Sequence, residues 1–436
     1  MRVVNFNLRH RFCYPLMANI ELRRNTWYAT LHVPKDVQHI IGKAKLFETL
    51  KTTDKRVAET RAAPLVAKWK ARIAAARGES DPFIDKALMW RQEIETNEAA
   101  EVVRDLIEEE AKKFARAQGP DAGAAFYGVA TGTHEPLLPH FDDWAAQLTL
   151  APKTVDQMKK DVRLMIKHFG TVQAITGQGV REWIRVLMRG TPASQGTAAK
   201  QGASESSIKR IISFSRNFWA YLQEIEKAPG EIQPFVIPSF TKKTSSKAVT
   251  GKGGWEPFQP LEVVALLNAA INKEDHELAD LIRLGMYSGA RIEELCALKV
   301  ENCTKEVLSI TDSKTDAGIR QVPVHSALVE VVDRLMAASQ DGYLLSGLTF
   351  NKYGDRSNAI GKRFGRLKAS LGFPEKKVFH SIRKTVVTLL EDAGVSENLT
   401  ADIVGHEKPR ITYGLYSGGH SLAPMKEAIE KLRYPL

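Results

Sequence analysis

FHSIRKTVVTLLEDAGVSENLTADIVGHEKPRITYGLYS, residues 379–417, is the stretch on which the reading of the whole chain turns. The spacing of Ile382, Val386, Leu389 and Leu390 predicts a helix with Ser381 as its cap and Gly394 as its stop. That helix presents His380 and Arg383 on one face. Ser396 caps a second predicted helix carrying Leu399, Ile403 and Val404; Gly405 closes it, and His406 stands immediately beyond. Tyr413 and Tyr416 follow. These polar groups flank helices whose other faces need a core, and such groups converge on something charged. An arginine offers planar, bidentate recognition of a phosphate, histidines donate hydrogen bonds or protons, and a tyrosine offers a nucleophilic oxygen. The histidine spacing does not suit zinc, so no metal is expected. Taken singly, His-x-x-Arg is ordinarily a surface helix and a tyrosine near a C-terminus is ordinarily packing, so the argument needs a second cluster.

That cluster lies about 90 residues earlier, in LIRLGMYSGARIEELCALKV, residues 281–300. Arg291 follows a Ser-Gly-Ala turn and opens a helix with Glu294 one turn on, near enough to orient the guanidinium. Between the two clusters, VLSITDSKTDAGIRQVPVH (residues 307–325) alternates around an Asp-Ala-Gly turn and predicts a hairpin with Lys314 near its tip. An arginine opening a helix, a glutamate three later, then Lys, His-x-x-Arg, Gly-His and Tyr in that order resembles the tyrosine recombinase (phage integrase) family, over roughly residues 259–417.

The resemblance implies a set of roles. Arg291 and Arg383 would hold the non-bridging oxygens of a DNA phosphate, with Glu294 in support. Tyr416 would attack as nucleophile, His380 would accept its proton, His406 would hydrogen-bond the phosphate and Lys314 would protonate the leaving 5′ oxygen. Which of Lys314, His380 and His406 is the dominant general acid stays open. Tyr416 stands ten residues past His406 and Tyr413 seven, and the family's usual separation favours Tyr416. Two departures from the pattern, Val404 before Gly-His and Ser417-Gly-Gly after the tyrosine, do not touch this chemistry. The implied reaction is site-specific recombination through a covalent 3′-phosphotyrosyl intermediate, needing no cofactor, metal or ATP. No Walker-type phosphate loop is present in the sequence.

Length and charge agree with a nucleic-acid partner. A chain of 436 residues holds two or three domains, and its formal net charge is +11. Residues 1–77 carry 16 basic against 5 acidic side chains, residues 78–135 carry 6 against 13, and residues 136–254 carry 17 against 9. Basic charge therefore sits in two blocks ahead of the site, as suits a polyanion bound with counterion release. No apolar run is long enough for a transmembrane helix, and the opening residues lack the apolar core of a secretory signal. Three cysteines build no disulfide framework, which fits a cytoplasmic location.

The expected fold is multidomain and mainly α with small β-sheets. Residues 1–77 read as a three-stranded sheet plus helix with Arg23, Arg24, Lys43 and Lys45 at its turns, similar to the arm-type DNA-binding domains of that family; residues 1–16 are either extended or upstream of a start at Met17. Residues 78–135 read as an acidic helical connector, broken after Gln118 by Gly-Pro-Asp-Ala-Gly. Residues 136–227 read as a helical core-binding domain, with Lys159, Lys160, Arg163, Lys209 and Arg210 on the polar faces of its apolar stripes. A linker (228–258) leads to a mixed α/β catalytic domain (259–436), whose amphipathic tail, Ser421 to Leu432, packs either on its own domain or on a neighbouring subunit. The implied partners are double-stranded DNA at attachment sites, further copies of the chain up to a tetramer on DNA, and accessory DNA-bending or directionality proteins, with no membrane. The rival readings are a DNA-relaxing topoisomerase of the same fold, a non-catalytic DNA-binding regulator, and an architectural DNA protein that would have no use for Lys314 and Tyr416.

Overall fold

The computed structural model describes residues 19–77, 81–96, 100–190, 201–237, 254–313, 315–408 and 419–435. The chain forms two compact units, Met1–Lys243 and Thr244–Leu436. Lys314, Tyr413 and Tyr416 lie outside the described residues, as do Cys13 and most of the predicted linker.

The first unit begins with a three-stranded antiparallel sheet, β1 (Ile20–Arg23), β2 (Thr26–His32) and β3 (Lys45–Thr49), with β2 in the middle. Arg24 and Asn25 turn β1 into β2 with positive φ at both, the geometry whose twist matches paired strands. Alternation puts Ala29, Leu31 and Val33 on one face, and the helix Lys55–Arg77 covers it with Ala58, Ala62, Val66, Trp69 and Ile73. Those positions recur at three and four residues, so one stripe of the helix meets one face of the sheet.

The acidic stretch departs from the predicted connector pattern. It forms two helices, Pro82–Thr96 and Ala100–Gln118, the second ending where the break was read, and the Gly-Pro-Asp-Ala-Gly stretch also starts a third, Pro120–Ala130. Pro120 suits that start: in a first turn its missing N–H has no intrahelical partner to lose, and its fixed φ already suits a helix. The three helices enclose a small core of Ile84, Val103, Ile107, Phe126 and Val129, with Phe83 edge-on to Phe114 and Phe126. The helices Phe141–Ala146, Pro152–Phe169, Gly177–Arg189 and Glu205–Glu224 then bury Trp144, Val162, Trp183, Ile212, Phe218 and Trp219 together, including most of both predicted stripes.

In the second unit one continuous core runs from Phe258 to Leu432. The buried helix His276–Ser288 is flanked by Pro260–Asn272 and Phe379–Asp392, and a hairpin of β4 (Val307–Ile310) and β5 (Arg320–Pro323) closes one side, with Ile310 opposite Arg320. The tail helix Leu422–Ile429 packs on its own domain. Met425, Ala428, Ile429 and Leu432 enter the core, Lys426 donates to the Val324 carbonyl, and the Tyr434 hydroxyl donates to the Met286 carbonyl at 3.0 Å.

Candidate active site

Arg291 precedes the short helix Ile292–Cys296, where its backbone N–H donates to Glu294 Oε2 at 2.9 Å. Its side chain folds back onto the same carboxylate: Nη1 donates to Glu294 Oε1 and, at 3.4 Å, to Ser313 Oγ. Glu294 is 4 % exposed, and a carboxylate so placed needs full pairing. Ser313 donates to Oε1 at 2.9 Å and Arg320 Nη2 to Oε2 at 3.2 Å. Burial pushes the Glu294 pKa up, but Arg320 and Arg291 outweigh it and hold the carboxyl at about 2.

Arg383 projects from the helix Phe379–Asp392 and is 3 % exposed. That helix starts three residues earlier than predicted. Val378 is its cap residue, and Ser381 lies inside the first turn, where its hydroxyl accepts the Val378 N–H at 3.0 Å. The periodicity located the helix, but a serine at either position satisfies an otherwise orphan donor. Arg383 Nη1 donates to the Gly289 carbonyl at 2.9 Å and Nη2 to the Gly405 carbonyl at 3.3 Å. The Gly405 carbonyl also accepts Arg291 Nη2 at 3.1 Å. Two guanidiniums from distant elements of the chain therefore meet at one oxygen.

Gly405 is required there twice over. Its φ of +73° closes the helix Glu397–Val404 in the left-handed region, and a Cβ would lie 2.6 Å from Arg320 Nη1. Ser396 caps the other end of this helix, accepting the Leu399 N–H at 3.4 Å.

Charge does not balance in this cluster. Arg291, Arg320 and Arg383 surround Glu294, and Arg383 Nε is buried without a partner among the described residues. Burial, then the fields of Arg291 and Arg320, lower the Arg383 pKa to about 9. His406 follows Gly405 directly; desolvation and the same arginines lower its pKa to about 4, so the ring is neutral at pH 7 and both donates and accepts. His380, in the first turn of its helix with an exposed edge, is likewise lowered by desolvation and by Arg383 and Arg291. The structure thus brings Arg291, Glu294, His380, Arg383 and His406 into one electrostatic neighbourhood. It adds Ser313 and Arg320, to which the sequence gave no role. Arg320 stood just after the Asp-Ala-Gly turn of the predicted hairpin, but nothing local marked it as buried.

The basic residues of the first unit are placed variously. Arg23 and Lys45 both pair with Glu21, and Arg23 lies over the Phe47 ring, while Arg24 and Lys43 are exposed. Lys160 is exposed and Lys159 half-buried. Lys209 pairs with Glu205, Arg210 with the buried Asp161, and Arg163 stacks over Phe141 at 4.4 Å. Three of the five core-binding candidates therefore have partners within their own unit.

A model of the phage integrase family matches residues 258–419, and a domain of unknown function, DUF6538, matches residues 19–78. The chain is 26 % identical over 276 residues to a tyrosine recombinase XerC-like protein of Caldanaerobacter subterraneus subsp. tengcongensis, covering 53 % of this chain and 67 % of that one. It is 24 % identical over 306 residues to tyrosine recombinase XerS of Streptococcus pyogenes serotype M1, covering 62 % and 82 %. Among solved structures it is similar to a lambda integrase tetramer bound to a Holliday junction (TM-score 0.46, 13 % identity, 91 % and 97 % covered). It is also similar to the Tn1549 transposon integrase with a circular intermediate DNA (TM-score 0.48, 16 % identity, 67 % and 98 % covered). The family match, the recombinase relatives and the ordered set of arginines and histidines agree: residues 258–419 are a domain of the phage integrase family, and the chain is similar to tyrosine recombinases.

Proposed function

We propose that this protein is a site-specific DNA recombinase that cuts and rejoins DNA through a covalent 3′-phosphotyrosyl intermediate. The observation that carries the proposal is the meeting of Arg291 and Arg383 at the Gly405 carbonyl, with positive charge in surplus and one buried guanidinium N–H unused. A phosphodiester supplies the missing negative charge. Stabilisation by such a donor at the transition state is typically about 3 to 4 kcal/mol. Arg320 and Ser313 hold Glu294, and Glu294 holds Arg291, so the donors are oriented before DNA arrives.

The Tyr416 oxygen attacks phosphorus and its proton passes to His380. The bond to the 5′ oxygen breaks, and Lys314 gives that oxygen a proton. A free tyrosine with a pKa of about 10 is ionised to roughly one part in a thousand at neutral pH, so the proton must leave during attack. His406, neutral at pH 7, donates to a phosphate oxygen. The linkage conserves the energy of the broken bond for attack by a second strand's 5′ hydroxyl, so the exchange requires neither ATP nor a metal. The partners are double-stranded DNA at attachment sites and further copies of this chain, assembled as a tetramer on DNA, with accessory proteins setting direction.

Tyr416→Phe tests this reading, because it removes one oxygen and little volume. Denaturant-trapped protein–DNA adducts should vanish while DNA binding persists. An adduct that survives in Tyr416→Phe but is lost in Tyr413→Phe transfers the role to Tyr413. Relaxation of a supercoiled plasmid with no joining of two sites would favour a topoisomerase instead.

A further inference from the structure

Asp402 belongs to none of the roles above, yet it is gripped from the two ends of one stretch of chain. Lys408 Nζ lies 2.8 Å from Asp402 Oδ1, and the Lys408 side chain is only 8 % exposed. On the other oxygen, the His420 backbone N–H donates to Oδ2 at 3.0 Å and the His420 ring Nδ1 lies 2.6 Å from it. Gly419 crosses directly above: its φ is +84°, and a Cβ there would sit 3.6 to 3.7 Å from the carboxylate atoms. A side-chain-bearing residue rarely takes that conformation, so the glycine lets the backbone N–H of its neighbour reach the oxygen. Although partial burial opposes ionisation of Asp402, Lys408 and His420 outweigh it and lower its pKa below the usual carboxylate value.

The location makes this more than a surface ion pair. Residues 409–418, with Tyr413 and Tyr416, connect Lys408 to Gly419. Asp402 itself sits on the helix Glu397–Val404. One residue on, the Ile403 carbonyl accepts Arg320 Nε at 2.7 Å, and three residues on, the Gly405 carbonyl accepts Arg291 and Arg383. The same turn of helix therefore anchors the arginines and both ends of the tyrosine-bearing stretch.

We infer that Asp402 is a positioning residue: by holding Lys408 on one oxygen and His420 on the other, its carboxylate sets both ends of the nucleophile's segment in the frame of the phosphate-binding arginines. The inference rests on the reading that a tyrosine of residues 409–418 is the nucleophile. Its physical basis is orientation. Fixing Lys408 and His420 at one carboxylate removes chain freedom before attack, and a misplacement of about 1 Å in a reacting group costs on the order of a hundredfold in rate.

The test uses the full chain and a supercoiled plasmid carrying the DNA that adjoins its gene, with the rate of adduct formation measured at saturating DNA. Asp402→Ala should slow that rate by about ten- to a hundredfold while the DNA dissociation constant and the melting temperature stay near those of the unmodified protein. Asp402→Asn keeps an acceptor for the His420 N–H and loses the charge that holds Lys408, so it should recover part of the rate. A leaving group activated by bridging sulfur should not rescue Asp402→Ala, since the defect lies in approach and not in departure. An unchanged rate at saturating DNA, or a loss that tracks the unfolded fraction, overturns the inference. If Asp402→Ala does not fold, Lys408→Met and His420→Ala each remove one strut, and both must slow adduct formation at unchanged affinity for the inference to stand. An adduct that survives in the Tyr413→Phe, Tyr416→Phe double variant overturns the nucleophile reading and this inference together. Its loss there, with Asp402→Ala at full rate, overturns the inference alone.

Discussion

At the scale of single residues the site is governed by one carboxylate among three guanidiniums. The Glu294 pKa is held at about 2 against an ordinary 4.5. A depressed carboxylate contributes stability that is fully present above its unfolded pKa and is lost as pH falls through the folded one. The shift corresponds to about 3 kcal/mol at neutral pH, fading between about pH 5 and pH 2. Glu294→Gln should therefore be destabilised by that order at pH 7 in denaturant titrations, and the gap from the unmodified protein should narrow near pH 3. A gap that does not change with pH would assign the loss to packing. The second prediction at this scale concerns Lys314. If it protonates the leaving 5′ oxygen, Lys314→Ala should slow cleavage severely on ordinary DNA and recover on a substrate with sulfur at that bridge, whose leaving group resembles a thiol of pKa about 8.5. Arg291→Ala should not recover, because its lost stabilisation falls on the non-bridging oxygens. Equal rescue of both variants, or of neither, would move the general acid to His380 or His406.

Among the elements, helix ends do the positioning. Gly405 and Arg291 both lie just outside short helices, where backbone groups are left free to meet side chains from elsewhere. The tail helix acts differently, as a buried strap. Ile429 is fully buried in the core of its own unit, and removing its branched side chain should cost about 2 to 5 kcal/mol. Ile429→Ala should lower the melting temperature of the unit, and melting of the unmodified protein without DNA should not depend on protein concentration. A marked rise of melting temperature with concentration would instead indicate a tail exchanged between chains.

Across the whole molecule, two basic stretches precede the site and an acidic one separates them. The acidic stretch builds three helices, Pro82–Thr96, Ala100–Gln118 and Pro120–Ala130, around a core of their own, so their charge is displayed on a folded surface. Arg24 and Lys43 are exposed, whereas Arg23 and Lys45 share Glu21. Replacing Arg24 and Lys43 with alanine should reduce the slope of log affinity against log salt by about 0.9 for each phosphate that is no longer neutralised. An unchanged slope on long DNA would make the N-terminal sheet a structural body and leave binding to other residues.

Many of the elements were legible in the order of residues. The periodicity of Ile382, Val386 and Leu390, the stops at Gly394 and Gly405 and the alternation of Val307–Ile310 are local signals, written by side chains that answer to their immediate neighbours. The succession of arginines, histidines, lysine and tyrosine is equally a property of the string. The partner of each group emerged only from the folded chain. Arg291 reaches Gly405 across more than a hundred residues, Arg320 proved to be a buried counterion of Glu294, and Arg210 is held by Asp161. Folding also packed the tail helix on its own domain. These outcomes depend on burial and on pairing between distant segments, and neither leaves a mark on the residues next to it in the chain. A carboxylate or guanidinium looks the same in the sequence whether water or another chain segment satisfies it, and only the packing of the core settles which.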